Sequence, residues 1–199
     1  MKSDLDLASL LASRLCHDVV GPVGAIMNGL ELMAEDSAMS DMAIALIRKS
    51  AKQASSKLQY ARMAYGAAGG AAELDPGEAG RLTADMFEGE RASLDWQWSG
   101  PVSPRVPVKL AMLLSTFALG AVPRGGTIRV ATPSPHLEVT AEGTALRAPP
   151  FLDVLTGSGD SEDPRAAQAL VMAQLAEGEG WAVVALESEG ALALRTVDR

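Results

Sequence analysis

Ser13-Arg14-Leu15-Cys16-His17-Asp18-Val19-Val20-Gly21-Pro22 lies inside a longer apolar rhythm, in which Leu7, Leu11, Leu15, Val19, Pro22, Ile26, Leu30 and Met33 recur every three or four residues. That spacing predicts one stripe of a helix from about Asp4 to Ala34, roughly 45 Å long at 1.5 Å per residue. Glu35 to Asp41 supplies turn chemistry, with Ser37 or Ser40 as the candidate N-cap. A second helix is expected through Met42, Leu46, Ala54, Leu58, Ala61 and Tyr65, in an alanine-rich background that favours it. Two long helices joined by a short turn make an antiparallel hairpin. Both carry apolar residues over more than one narrow face. Pairing two hairpins into a four-helix bundle resolves this, so a homodimer is expected.

Gly66-Ala67-Ala68-Gly69-Gly70-Ala71-Ala72 breaks the pattern with three glycines and no charge, and reads as a linker. It divides the chain into an expected hairpin unit, residues 1–66, and a second unit, residues 73–199. In the second unit the signals alternate. Helices are expected from about Pro76 to Arg91, Pro107 to Val122 and Pro164 to Glu177, and strands at Asp95 to Trp98, Thr127 to Ala131 and Leu137 to Ala141. Trp181 to Leu186 and Ala191 to Val197 read as a hairpin turned by Glu189-Gly190, and Thr144 to Asp163 reads as irregular. The sum is α+β, with a mostly antiparallel or mixed sheet and helices on one face.

Composition narrows the function classes. The net charge of -8 over 199 residues disfavours nucleic acid as a partner, and 4% aromatics argues against a base-stacking surface. Residues 1–66 hold seven basic and seven acidic side chains, so the rest of the chain carries the whole excess. No basic segment followed by an apolar stretch opens the chain, and no apolar run approaches the ~18 residues a bilayer requires; a cytoplasmic protein without a membrane role is expected. A lone Cys16 forms no internal disulfide, and with only His17 and His136 there is no zinc-site spacing, so no metal is expected.

At 100° per residue His17 lies about 200° from both Leu15 and Val19, hence off the core stripe and exposed. Arg14, Gly21, Gly24 and Asn28 share its face, a poor choice for helix propensity or packing. Small residues beside an exposed imidazole let another protein's surface approach the ring. A neutral imidazole is nucleophilic near pH 7, so His17 can attack a phosphorylated carboxylate or return the group to one. Asp18 can bond the other ring nitrogen or take up its proton. Arg14 can neutralise charge on the transferring oxygens. Pro22 removes an i to i−4 hydrogen bond just past the site. Between Met42 and Ala72 there are five basic side chains, Arg48, Lys49, Lys52, Lys57 and Arg62, and no acid. A basic helix beside His17 would steer an acidic partner, and Arg48, Lys49 and Lys52, with Gly21, Gly24 and Asn28, are the expected docking residues.

The run from Ser13 to Pro22 closely resembles the phosphoacceptor region of ChpT-type histidine phosphotransferases, with their Leu-Cys-His-Asp motif and a proline shortly after. The likeness extends through the glycine-containing linker, Leu94-Asp95-Trp96-Gln97, and the Pro123-Arg124-Gly125-Gly126 turn. The resemblance implies a hairpin that dimerises like that of sensor kinases, followed by a degenerate Bergerat-like (kinase ATPase-like) α/β sandwich. It implies that the histidine takes phosphate from the receiver domain of a hybrid histidine kinase and passes it to response regulators of the cell cycle, Mg2+ being held by the partner receiver.

The residues test the kinase ancestry separately. A sensor-kinase catalytic domain needs an asparagine-bearing helix for Mg2+ and phosphates, an Asp in a DxGxG turn and a glycine-rich lid. Asn28 is the only asparagine, and the helix expected over Pro107 to Val122 has Ser115, Thr116 and Phe117 instead. Ala141-Glu142-Gly143-Thr144-Ala145 lacks the DxGxG spacing, and Gly157-Ser158-Gly159 is followed by Asp160, Glu162 and Asp163. No nucleotide cofactor is expected. The competing reading is a non-catalytic interaction scaffold derived from a sensor kinase, in which His17 is incidental.

Overall fold

A computed structural model describes residues 3–35, 40–66 and 72–199. Two helices, α1 (Asp4–Glu35) and α2 (Ser40–Ala64), form the antiparallel hairpin. Ser3 caps α1: its hydroxyl accepts from Asp6 N at 3.2 Å while Asp6 Oδ2 accepts from Ser3 N at 3.3 Å. Ser40 is the first residue of α2. The candidate cap Ser37 and linker residues 67–71 lie outside the described residues.

The hairpin closes tightly at Gly29. A Cβ there would lie 2.6 Å from Ile47 Cγ1 and 3.3 Å from the Ala43 carbonyl oxygen. Alanine would favour the helix by about 0.5–1 kcal/mol, yet overpacking costs about 1–3 kcal/mol. Gly29→Ala should therefore lower the urea midpoint, and an unchanged midpoint would show that the two helices separate without cost.

Beyond the hairpin come β1 (Glu73–Leu74), α3 (Pro76–Met86), β2 (Ala92–Trp96), β3 (Ser103–Pro104) and α4 (Arg105–Ala118), which ends in a 3-10 turn at Leu119–Ala121. Then follow β4 (Gly126–Val130), β5 (Glu138–Glu142), α5 (Leu152–Leu155), a 3-10 turn at Pro164–Ala166, α6 (Ala167–Gly178), β6 (Trp181–Ser188) and β7 (Ala191–Asp198). The main sheet has the order β2-β4-β5-β7-β6; β2 and β4 run parallel and the other neighbours antiparallel. β1 and β3 pair separately. The mixed sheet agrees with the reading from sequence. Side chains alternate between a buried face toward α4 and α6 and an outer face, where Arg129 bridges Asp95 at 2.9 Å and Glu142 at 2.6 Å.

Several boundaries move, each for a local reason. The first helix of this region stops at Met86 and not Arg91, because Glu88-Gly89 makes a turn with Gly89 at φ 89. Its start is well marked: Asp75 accepts from Gly77 N at 2.7 Å and Pro76 opens the helix. β2 begins at Ala92, since its parallel register with β4 starts at the Ala92–Gly126 pair. Within the stretch expected to be irregular, four residues form α5, too short for periodicity to reveal.

Leu110, Met112, Leu113 and Leu114 of α4 are wholly buried against Ile128, Val130, Val139, Leu194 and Met172. Tyr60 and Ala64 of α2 belong to the same cluster, so the end of the hairpin is built into this core. Lys109 of α4 donates from Nζ to the Gly66 carbonyl just past α2, a cation at a helix C-terminus. Burial, then Arg105, holds its ammonium below the usual lysine value.

Contrary to the expectation from apolar runs, α1 over Asp4–Ala34 is long and apolar enough to cross a membrane by length and composition. Its apolarity is divided between two faces. One packs on α2, while Val20, Val23, Met27 and Leu30 are 67%, 46%, 53% and 49% exposed.

Candidate functional site

The site is built on one turn of α1. The His17 side chain is 91% exposed, with Nδ1 3.7 Å from Asp18 Oδ1, longer than a hydrogen bond. Nδ1 therefore faces the carboxylate and Nε2 faces solvent. Cβ atoms built at Gly21 and Gly24 would meet nothing within 4 Å, and Asn28 is exposed, so the face continues open below the ring.

The Arg14 guanidinium has three partners. Its Nε lies 3.4 Å from Asp18 Oδ2, Nη1 donates to the Arg165 carbonyl at 2.9 Å, and Nη2 donates to Gln168 Oε1 at 3.2 Å. Gln168 is 5% exposed; its Nε2 donates to the Leu113 carbonyl at 2.7 Å and to Thr116 Oγ1 at 2.8 Å. The Thr116 hydroxyl also shares a 2.8 Å bond with the Tyr60 hydroxyl, which donates to the Met112 carbonyl at 3.0 Å. Burial pushes the Tyr60 phenol well above its ordinary pKa, so it stays neutral in this network. The chain Arg14-Gln168-Thr116-Tyr60 thus ties the His17 turn to α6, α4 and α2. Sequence pointed to Arg14 and not to Gln168, Thr116 or Tyr60, whose roles arise from pairings 52 or more residues apart.

Lys57 was only one of five basic residues in sequence. Its Nζ donates to the backbone carbonyl of Asp18 at 2.8 Å. Lys52 is ion-paired with Glu88 at 2.7 Å, which raises its pKa, the hydrogen bond being the main cause. Arg48 and Lys49 are exposed. Since Lys57 meets Asp18 and Ile47 meets Gly29, Arg48 and Lys49 sit level with the helix turn around Met27. That is roughly 15 Å along the axis from His17. Along the hairpin axis the two basic residues are therefore level with the stretch from Gly24 to Asn28. Between the hairpin and α3, α4 and α6 runs a cleft of about 450 Å³, walled by Arg14, Asp18, Lys57, Tyr60, Tyr65 and Gln168.

The segment considered for phosphate binding is closed on itself. The amides of Ser158 and Gly159 both donate to the Asp153 carbonyl at 2.9 Å, and Gly157 N donates to Val154 O at 3.3 Å. In α4, Ser115 is buried and donates to the Ala111 carbonyl at 2.6 Å.

The model of the histidine phosphotransferase C-terminal domain family matches residues 76–191. The chain is 41% identical over 186 residues to protein phosphotransferase ChpT of Brucella abortus (strain 2308), covering 89% of this chain and 88% of that protein. A solved bacterial phosphotransferase superposes with a TM-score of 0.86 at 35% identity, over 99% of this chain and 98% of that one. A histidine kinase domain from a blue-light activated kinase of Erythrobacter litoralis aligns over 92% of this chain and 94% of that one, at TM-score 0.47 and 13% identity.

Proposed function

We propose, for a chain that belongs to the histidine phosphotransferase family and is a phosphorelay phosphotransferase, that the phosphoryl group is carried on His17 Nε2. The observation that carries this is the ring's placement: almost fully exposed, its Nδ1 edge turned to Asp18, on a helix face that continues open at Gly21 and Gly24. In the forward step Nε2 attacks the phosphorus of a receiver's aspartyl phosphate, and the bond to the carboxylate oxygen breaks, restoring the partner's carboxylate. The imidazole then carries positive charge with its proton on Nδ1, and a shift of under about 1 Å brings Asp18 Oδ1 into hydrogen-bond range to stabilise it. Reversal onto a second receiver completes the relay. Mg2+ belongs to the receiver in this scheme and this chain supplies no cofactor. Arg14 acts chiefly by holding Asp18, since its guanidinium bonds Asp18, Gln168 and Arg165.

The donor is the receiver domain of a hybrid histidine kinase and the acceptors are response regulators, with cell-cycle control as the setting. The exposed stripe Val20, Val23, Met27 and Leu30 lies about 100° around α1 from His17, so a dimer formed through it buries that stripe and leaves the imidazole at the edge. The apolarity of α1 is accounted for by that bundle, and the location that goes with it is the cytoplasm. The alternative, a scaffold without chemistry, is separated by one measurement: acid-labile phosphate on the protein after mixing with a phosphorylated receiver domain and Mg2+. A scaffold stays unlabelled.

Two further results are expected. Titration calorimetry with Mg-ATP should give no saturable heat at millimolar nucleotide, because the amides of Ser158 and Gly159 and the Thr116 hydroxyl already have partners and α4 carries no asparagine. A micromolar dissociation constant would overturn that. Reversing the charges of Arg48 and Lys49 to Glu should slow transfer about tenfold at low salt, through the association rate, with the loss shrinking as salt rises. A loss independent of salt would mean that these residues do not steer the receiver.

A further inference from the structure

We infer that Lys57 is a positioning residue for the phosphoacceptor: its ammonium occupies the Asp18 carbonyl that Pro22 leaves without a helical donor, pinning the His17-Asp18 turn to α2. The inference rests on the reading of His17 given above and names a residue that acts on it from the opposite helix.

In an uninterrupted helix the Asp18 carbonyl accepts the N–H of residue 22. Residue 22 is proline, which has none. An orphan carbonyl is tolerated where water reaches it, but it then fixes nothing and the helix around it loosens. Here a charged donor from another helix stands 2.8 Å away, at the residue next to the phosphoacceptor. A bond across the hairpin does what the missing bond within α1 cannot, because it fixes this turn relative to α2 as well as along its own axis. Asp18 is thereby held at both of its polar ends, the carboxylate by Arg14 at 3.4 Å and the carbonyl by Lys57. Lys57 is itself half-buried in the wall of the cleft, unlike Arg48 and Lys49 on the open surface. That placement suits a fixed contact better than a steering charge.

The proline and the lysine are two halves of one device, and this makes the idea testable by a cycle of four proteins: wild type, Lys57→Met, Pro22→Ala and the double variant. Alanine at 22 restores the N–H that Asp18 lacks, so Lys57 becomes dispensable in that background. Single-turnover transfer from a phosphorylated receiver domain should show the saturating rate of Lys57→Met reduced about tenfold, the scale of one charge-assisted hydrogen bond. The half-saturating receiver concentration should stay the same. Against Pro22→Ala, adding Lys57→Met should cost little. Equal losses in both backgrounds, a loss confined to half-saturation, or no loss at all would each overturn the proposal. Urea unfolding of the same four proteins reads the coupling without any chemistry: Lys57→Met should lower the midpoint more in the proline background than in the alanine one, and equal shifts would sink the idea. If wild type takes no label, the reading of His17 fails by itself, and the unfolding cycle still decides whether Lys57 serves the Asp18 carbonyl.

Discussion

Mixed with a phosphorylated receiver domain and Mg2+, the wild-type protein is expected to take up acid-labile, base-stable label, and His17→Ala to take up none. The loss should be on the order of 10³-fold or more, since the nucleophile itself is removed. The other histidine of the chain is not placed to substitute. His136 has a side chain only 16% exposed, its Nδ1 is buried, and its Nε2 faces Asp198 at 3.7 Å. Phosphate carried on Asp18 would be an acyl phosphate, labile to base, and so would be told apart. Because the His17 ring is 91% exposed, its removal deletes no packing, and the variant should keep the oligomeric state and urea midpoint of wild type. Wild-type labelling of His17→Ala would end the assignment.

The second large effect is expected on assembly. Val20, Val23, Met27 and Leu30 follow one another at intervals of three, four and three residues on a face that α2 leaves uncovered. Such an interval is the seam of helix-on-helix packing. If that stripe forms the centre of a dimer, Val23→Glu with Met27→Glu places four carboxylates in it, two from each copy by symmetry. Each buried unpaired charge costs several kcal/mol, so the dimer dissociation constant should rise by about 10³ or more. Sedimentation at micromolar concentration should then show a monomer whose far-UV circular dichroism is retained. A dimer of undiminished strength would place the interface on another surface.

The helical hairpin, the exposed histidine and the mixed sheet were all legible in the order of residues. Each is a local matter: a period of three to four fixes which helix face is apolar, alternation fixes a strand, and the position of His17 off the stripe fixes its exposure. The same local reading missed α5, where four residues are too few for a period, and the β1–β3 pair, whose partners lie some thirty positions apart. It also assigned basic residues by their type alone. Only the tertiary structure distinguished Lys52, ion-paired with Glu88, and Lys57, bonded to Asp18, from Arg48 and Lys49 on the open face. It likewise turned Arg14 inward through Gln168, 154 residues away in the chain. The physical reason is the reach of the forces involved: amphipathic periodicity is written within a single element, whereas a hydrogen bond's partner is decided by which elements pack together. The proline at 22 announced that a carbonyl would lack its donor, but only the packing of α2 against α1 determined that Lys57 would supply one.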